Sequence, residues 1–300
     1  MPDKDKHGNS PRKSQRATLA YENKKFLDSP DGRILRILAE YQEPLSRFRR
    51  ERIQDTIVFF GSARFHSRSD AEEALMLLDK PGSAKPAPPE EQERVARAQA
   101  DVEMARYYEE ARELAFLVTR WAKSLGQSRH RFVVCTGGGP GIMEAANRGA
   151  FDAGGKSIGL NINLPFEQIP NQYITPELNF EFHYFFMRKL WFAYLAKALV
   201  VFPGGFGTFD ELFELLTLAQ TEKLAKKMCV IVYGRDYWRR IVNFEALVEA
   251  GTVSPNDLDL FRFANSPQEA FEFLKAHLEL HHLEPPNHRE KEPEIAKTRP

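Results

Sequence analysis

The 300-residue chain has no charge of one sign to spare: Lys plus Arg and Asp plus Glu both number 42, so the formal net charge is zero. Without a global basic field, nucleic acid is not expected as a partner. No apolar run approaches the ~18 residues of a membrane span. The polar N-terminus lacks the apolar segment of a secretory signal, so a cytoplasmic protein without a membrane partner is expected. Cysteine is scarce. Cys135 and Cys229 both sit in apolar strand-like runs, where reduced core thiols are the simplest reading. The histidines form no H-E-x-x-H, and His281-His282 fall in the C-terminal stretch, so no metal is expected. There is no G-x-x-x-x-G-K-[ST], so triphosphate chemistry lacks its lysine. The dinucleotide pattern G-x-G-x-x-G also fails. Counted from Gly137 its third glycine falls on Ile142, and from Gly139 on Glu144. The following strand ends at Asn161, where an NAD ribose would want an acid. Beyond a phosphate cup nothing supports pyridoxal phosphate. No cofactor is expected.

What the chain does have is strand–helix alternation. TIVFFGSAR (56–64), RFVVC (131–135), SIGLNI (157–162), LVVF (199–202) and MCVIV (228–232) are apolar throughout rather than alternating. Such strands are covered by helices on both faces. The repeated units predict an α/β fold, a doubly wound parallel sheet of modified Rossmann-like type, in a single domain with an N-terminal helical extension. The expected divisions are a mobile tail over 1–28, a helical extension over 29–55, the main domain over 56–280 and a disordered tail over 281–300. Pro44 should interrupt or end the extension helix. A proline-rich stretch over 79–93 reads as a flexible insertion, followed by a long helix from about Val95 to Ser124.

Three unusual turns lie at expected strand carboxyl ends: Gly61-Ser62, Gly137 to Gly141, and Gly204 to Thr208. Ligands of open α/β sheets bind at those ends, so the turns should converge. A glycine turn that opens a helix presents bare N–H groups and the positive end of the helix dipole, which suits a phosphate. Gly204, Gly205 and Gly207 with the Thr208 hydroxyl are the expected phosphate seat. Thr208 and Glu211 also have the spacing of a capping box, with Asp210 and Glu211 in the first helical turn. That reading leaves the three glycines unexplained.

GGGPGIME (137–144), MRK (187–189) and PGGFGTFDE (203–211), in this order and with FFGSAR upstream, resemble the LOG family, the cytokinin riboside 5'-monophosphate phosphoribohydrolases long labelled lysine decarboxylases. The pattern P-G-G-x-G-T-x-x-E is matched at every fixed position, and the resemblance spans roughly 56–280. The long chain resembles the larger, mostly bacterial members. The resemblance implies hydrolysis of the N-glycosidic bond of a nucleoside 5'-monophosphate, AMP or an N6-substituted relative, to free base and ribose 5-phosphate. It implies Arg188 and Glu211 as catalytic residues. Gly61, Ser62, Gly138, Gly139, Glu144, Met187, Gly204, Gly205, Gly207 and Thr208 are the candidate substrate contacts. Arg64 is a weaker candidate, Lys189 is expected to face solvent or a partner, and His183 is read as structural. The alternative is a non-catalytic carrier of a nucleotide or of molybdenum cofactor, which would need the glycines but not Glu211. A homo-oligomer is expected from surplus apolar surface on Phe209, Phe213 and Leu216 beside Leu190, Phe192 and Tyr194, with the resemblance implying sites at a dimer interface.

Overall fold

A computed structural model describes residues 16–78, 88–164, 169–223 and 227–283. Most of both expected tails and the core of the expected insertion (79–87) lie outside the described residues. Within them, a short helix α1 (Lys24–Leu27) precedes α2 (Arg33–Arg50) and strand β1 (Thr56–Phe60). Then follow α3 (Arg68–Leu78), α4 (Pro89–Ser124), β2 (Val133–Thr136), α5 (Ile142–Asp152), β3 (Ser157–Ile162) and β4 (Asn179–Phe182). The second half runs through α6 (Phe185–Leu195), β5 (Ala196–Val201), α7 (Phe206–Gln220), β6 (Cys229–Tyr233), α8 (Arg235–Ile241), α9 (Phe244–Glu249), β7 (Arg262–Ala264) and α10 (Pro267–Leu278). The chain continues helically to Leu283.

The strands form one seven-stranded sheet in the order β4-β3-β2-β1-β5-β6-β7. Every pairing is parallel. Period-2 geometry sends successive side chains to opposite faces. Val58 and Phe60 accordingly join one apolar core with Leu45, Phe48, Trp191, Phe192 and Leu212. Ile57 and Phe59 join the other with Tyr107, Leu114, Ile142 and Leu274. Helices α2, α6 and α7 thus cover one face, and α4, α5 and α10 the other. Chain order reverses at β1, which has β2 on one side and β5 on the other. The cleft of a doubly wound sheet opens at that reversal.

Several element boundaries differ from expectation. The strand expected at 199–202 starts earlier: α6 stops at Leu195 and β5 starts at Ala196 with no turn between them. Both elements are buried and apolar, so periodicity cannot mark the junction. Phe192 is 1% exposed and belongs to the core, not to surplus surface. The long helix begins at Pro89 rather than Val95, since proline at a first helical position costs no hydrogen bond. Pro44 does not break α2, which continues to Arg50. The carbonyl that Pro44 leaves without a helical donor belongs to Glu40, and the Trp191 indole N–H donates to it at 2.9 Å.

Candidate functional site

The three glycine turns follow β2, β1 and β5, which are adjacent in the sheet, and they are bonded to one another. Ser62 N–H donates to the Pro203 carbonyl at 2.9 Å, and Ile142 N–H donates to the Ser62 carbonyl at 3.0 Å. Ser62 therefore ties the β1 turn to both neighbours. Its hydroxyl accepts from Arg64 N–H at 3.1 Å, and the Arg64 side chain is exposed. Gly61 lies against Ile142, which a Cβ would meet at 2.8 Å. Gly204 is held by close approach, since a Cβ there would lie 2.1 Å from Thr208 Oγ1 and 3.0 Å from Ser62 N. Its carbonyl accepts from the Tyr237 hydroxyl at 2.8 Å.

Helix α7 opens on Gly205 as N-cap, with no side-chain cap. Thr208 is therefore the third helical residue, and the capping box anticipated between Thr208 and Glu211 does not form. Asp210 and Glu211 fall beyond the first turn, because the helix starts at Phe206. The leading N–H groups of Phe206, Gly207 and Thr208 have no carbonyl of a preceding turn to bond. Nothing lies within 4 Å of where a Cβ of Gly205 or Gly207 would stand. Thr208 is buried, whereas Phe206 is 96% exposed.

Behind this helix end, Arg188 of α6 meets Glu211 of α7. Arg188 Nη2 lies 3.5 Å from Glu211 Oε1, and both side chains are largely shielded from solvent. Burial pushes the Glu211 carboxyl up to about 7, against the pull of Arg188 and Lys189. Burial likewise lowers the Arg188 guanidinium, which Glu211 holds up. Desolvation outweighs the attraction within this pair. Arg188 Nε is buried and has no hydrogen-bond partner. The guanidinium lies 5.4 Å from the ring centre of Phe185 and 5.5 Å from that of Phe192. A Cβ on Gly137 would stand 3.9 Å from Arg188 Nη1, so the β2 turn borders the same guanidinium. Lys189, expected to face solvent or a partner, instead bridges Asp210 and Glu214, each at 2.8 Å.

The β2 turn is filled by the protein's own side chains. Gly138 N–H donates to Thr136 Oγ1 at 2.9 Å, and that hydroxyl donates to Asn147 Oδ1 at 2.7 Å. Asn171 Nδ2 lies 3.0 Å from the carbonyls of both Gly138 and Gly139. Glu144 Oε1 accepts from the buried Tyr108 hydroxyl at 2.8 Å. Met187 is 5% exposed and sits in the core. Thr136, Asn147, Asn171 and Tyr108 were not singled out from sequence. None of them falls within the quoted motifs, and no spacing marks them. An open groove of about 580 Å³ runs along α7, lined by Phe206, Phe209, Phe213 and Leu218 of that helix and by Lys189 of α6 among others. Among the described residues no group of three or more His, Cys, Asp or Glu could hold a metal ion. None of their helices is long and apolar enough to cross a membrane.

Sheet order and turns define a doubly wound α/β protein whose three glycine turns meet at its strand reversal. Residues 143–274 match the family described as "Possible lysine decarboxylase". The chain is 32% identical to the cytokinin riboside 5'-monophosphate phosphoribohydrolase of Rhodococcoides fascians over 137 residues, 44% of this chain and 67% of that protein. It is 28% identical to a probable enzyme of the same name from Oryza sativa subsp. japonica, over 50% of this chain and 70% of that one. The chain belongs to the LOG family. Among solved structures, the molybdenum cofactor binding protein of Rippkaea orientalis is 16% identical over 74% of this chain and 96% of that one, with a TM-score of 0.42.

Proposed function

We propose that the protein hydrolyses the N-glycosidic bond of a nucleoside 5'-monophosphate, AMP or an N6-substituted relative, releasing free base and ribose 5-phosphate. The observation that carries this reading is Glu211. It is a carboxylate 4% exposed, pushed up to about 7, beside a guanidinium with an unused buried donor and behind a helix end with open N–H groups. A site that only carried a nucleotide would have no use for a buried acid titrating near neutrality; a general base does. The relatives' names support the same chemistry.

In this reading the 5'-phosphate sits on the N–H groups from Gly205 to Thr208, with the dipole of α7 behind it. Arg188 Nε–H donates to a phosphate or ribose oxygen. The C1'–N bond breaks with its electron pair going to the base, which takes up a proton, while the sugar passes through an oxocarbenium-like state. Ionised Glu211 stabilises that positive charge and accepts a proton from the water whose oxygen bonds to C1'. The proton leaves Glu211 for solvent, and the atoms balance as nucleotide plus water giving base plus ribose 5-phosphate. The protein acts as a homodimer or larger assembly, supported by the exposed rings of Phe185, Phe186 and Phe206 and by Leu190 on α6 and α7. Light scattering at micromolar concentration checks this; a monomer removes it.

The deciding experiment incubates the purified protein with AMP, GMP, CMP and isopentenyl-AMP and follows free base and ribose 5-phosphate. Release from the adenine nucleotides supports the reading. Tight binding without release from any nucleotide supports a carrier, and preference for CMP contradicts the adenine assignment.

A further inference from the structure

The helix that carries Arg188 is held at its start by a residue far away in sequence. Glu40, on α2, accepts from His183 N–H at 2.8 Å and from Tyr184 N–H at 3.3 Å through its two carboxylate oxygens. Tyr184 is the N-cap of α6, and that helix has no side-chain cap of its own. The same residue's carbonyl, set free by Pro44, takes the Trp191 indole N–H at 2.9 Å. Glu40 therefore grips α6 twice, at its first peptides and about two turns in. Tyr41 and Phe48 of α2 pack on the Trp191 ring at 5.7 and 5.3 Å, which fixes the rotation of α6 between the two grips.

We infer that Glu40 is a positioning residue for Arg188, so that the N-terminal helix is part of the working site. The path is short. Glu40 holds Tyr184 N–H, and the carbonyl of Tyr184 accepts from Arg188 N–H at 3.2 Å. The Arg188 side chain then rests between the rings of Phe185 and Phe192, with Nη2 toward Glu211. Its buried Nε–H has no other anchor, so the backbone of the first α6 turn sets where the guanidinium points. A carboxylate at a helix start also faces the positive end of the dipole, which keeps the grip in place. Glu40 lies outside residues 143–274, which match the family.

This inference rests on the proposed hydrolysis for its catalytic arm, and a second arm is independent of it. The catalytic arm compares kcat/KM for AMP in the unaltered protein, Glu40→Ala, Arg188→Ala and the double variant. Positioning predicts that Glu40→Ala costs about tenfold when Arg188 is present, since small misplacements of a reacting group are costly. It should cost less than twofold when Arg188 is absent, because groups acting through one another are non-additive. Glu40→Gln, which keeps one acceptor oxygen, should recover part of the loss. An equal cost in both backgrounds overturns the inference. The second arm follows the Arg188 Nε–H resonance of ¹⁵N-labelled protein, assigned by its loss in Arg188→Lys. Glu40→Ala should shift or broaden it; an unchanged resonance in the folded variant overturns the inference even if no nucleotide is hydrolysed. Should Glu40→Ala fail to fold, Pro44→Ala gives α2 its own donor for the Glu40 carbonyl. It should then shift the Trp191 indole and Arg188 Nε–H resonances together. An indole shift without an Arg188 shift overturns the inference.

Discussion

The turns after β2 and β5 look alike in sequence and are opposite in structure. In the turn after β2 the space that glycine leaves is taken by protein. A Cβ on Gly138 would meet Asn161 Oδ1 at 2.3 Å, and Asn171 satisfies the carbonyls of Gly138 and Gly139. In the turn after β5, Gly204 is packed the same way, but the space over Gly205 and Gly207 is empty. One run of glycines lets the chain fold against itself, and the other keeps a helix end bare. The buried acid belongs to the second. Residue type alone does not separate the two cases; the neighbours that fill or leave the space do.

The largest test of this contrast is Gly138→Ala. Gly138 has φ +75°, a left-handed backbone that costs a β-carbon about 1–2 kcal/mol. The added carbon also displaces the Asn161 carboxamide, which donates to Asn179 Oδ1 at 2.7 Å and to the Phe180 carbonyl at 2.9 Å. Each orphaned buried group costs about 1–3 kcal/mol, so a loss of about 3 kcal/mol is expected in urea unfolding. A loss below about 1 kcal/mol would mean that this turn is not protein-filled, and the contrast would collapse.

Glu211→Gln comes next and probes the other turn. It should fold and bind AMP but lose turnover by on the order of 10²-fold, because the amide neither accepts a proton nor opposes the oxocarbenium charge. Undiminished hydrolysis would remove Glu211 from the chemistry. Arg188→Ala should weaken both AMP affinity and turnover, because it takes the cation out of the same pocket; equilibrium binding and kcat measured together check it.

pH gives a third reading of the same carboxyl. Its folded value, about 7, lies above the ordinary 4.5, so the folded state binds the proton more tightly than the unfolded chain does. This group's stabilising contribution is complete below about 4.5 and is lost as pH rises to about 7, by about 3 kcal/mol. Activity runs the other way, rising through about pH 7 as the base ionises. Comparing urea midpoints of the unaltered protein and Glu211→Gln from pH 5 to 8 checks the first statement, since the variant should lack that slope. A kcat/KM profile flat across pH 7 would contradict the second.

The sheet was legible because its strands are unbroken apolar runs, and the three turns because glycine and proline mark strand ends. Arg188 and Glu211 were legible as parts of motifs, and the structure pairs them. What stayed hidden depends on partners distant in the chain. Glu40 reads as one more charge on a surface helix until His183 and Tyr184 come back to it 143 and 144 positions later. Asn171 reads as a loop residue until it bonds the carbonyls of Gly138 and Gly139. The capping box failed for a local reason. The spacing from Thr208 to Glu211 fits, but Gly205 starts the helix three residues earlier, and a residue already inside a helix cannot cap it.

The smallest expected effect is the sharpest, because its two readouts should move in opposite directions. Gly207 is the second residue of α7, with ordinary negative φ and nothing within 4 Å of a new Cβ. Alanine there should leave the fold untouched and raise stability by about 0.5–1 kcal/mol, since alanine restricts the unfolded chain and favours helix. If the empty space over the helix end is where a phosphate rests, the same methyl group displaces it from the Gly207 and Thr208 N–H groups. AMP affinity should then fall about tenfold, the equivalent of about one hydrogen bond to a charged group. At Gly138 a methyl group should harm stability first, and any loss of binding would follow from that. At Gly207 stability should rise while binding falls, which loss of structure cannot produce. Calorimetric titration with AMP beside thermal unfolding of Gly207→Ala reads both quantities. A variant that is more stable and binds AMP as well as before would place the phosphate elsewhere in the cleft, with Arg188 rather than the start of α7 as its seat.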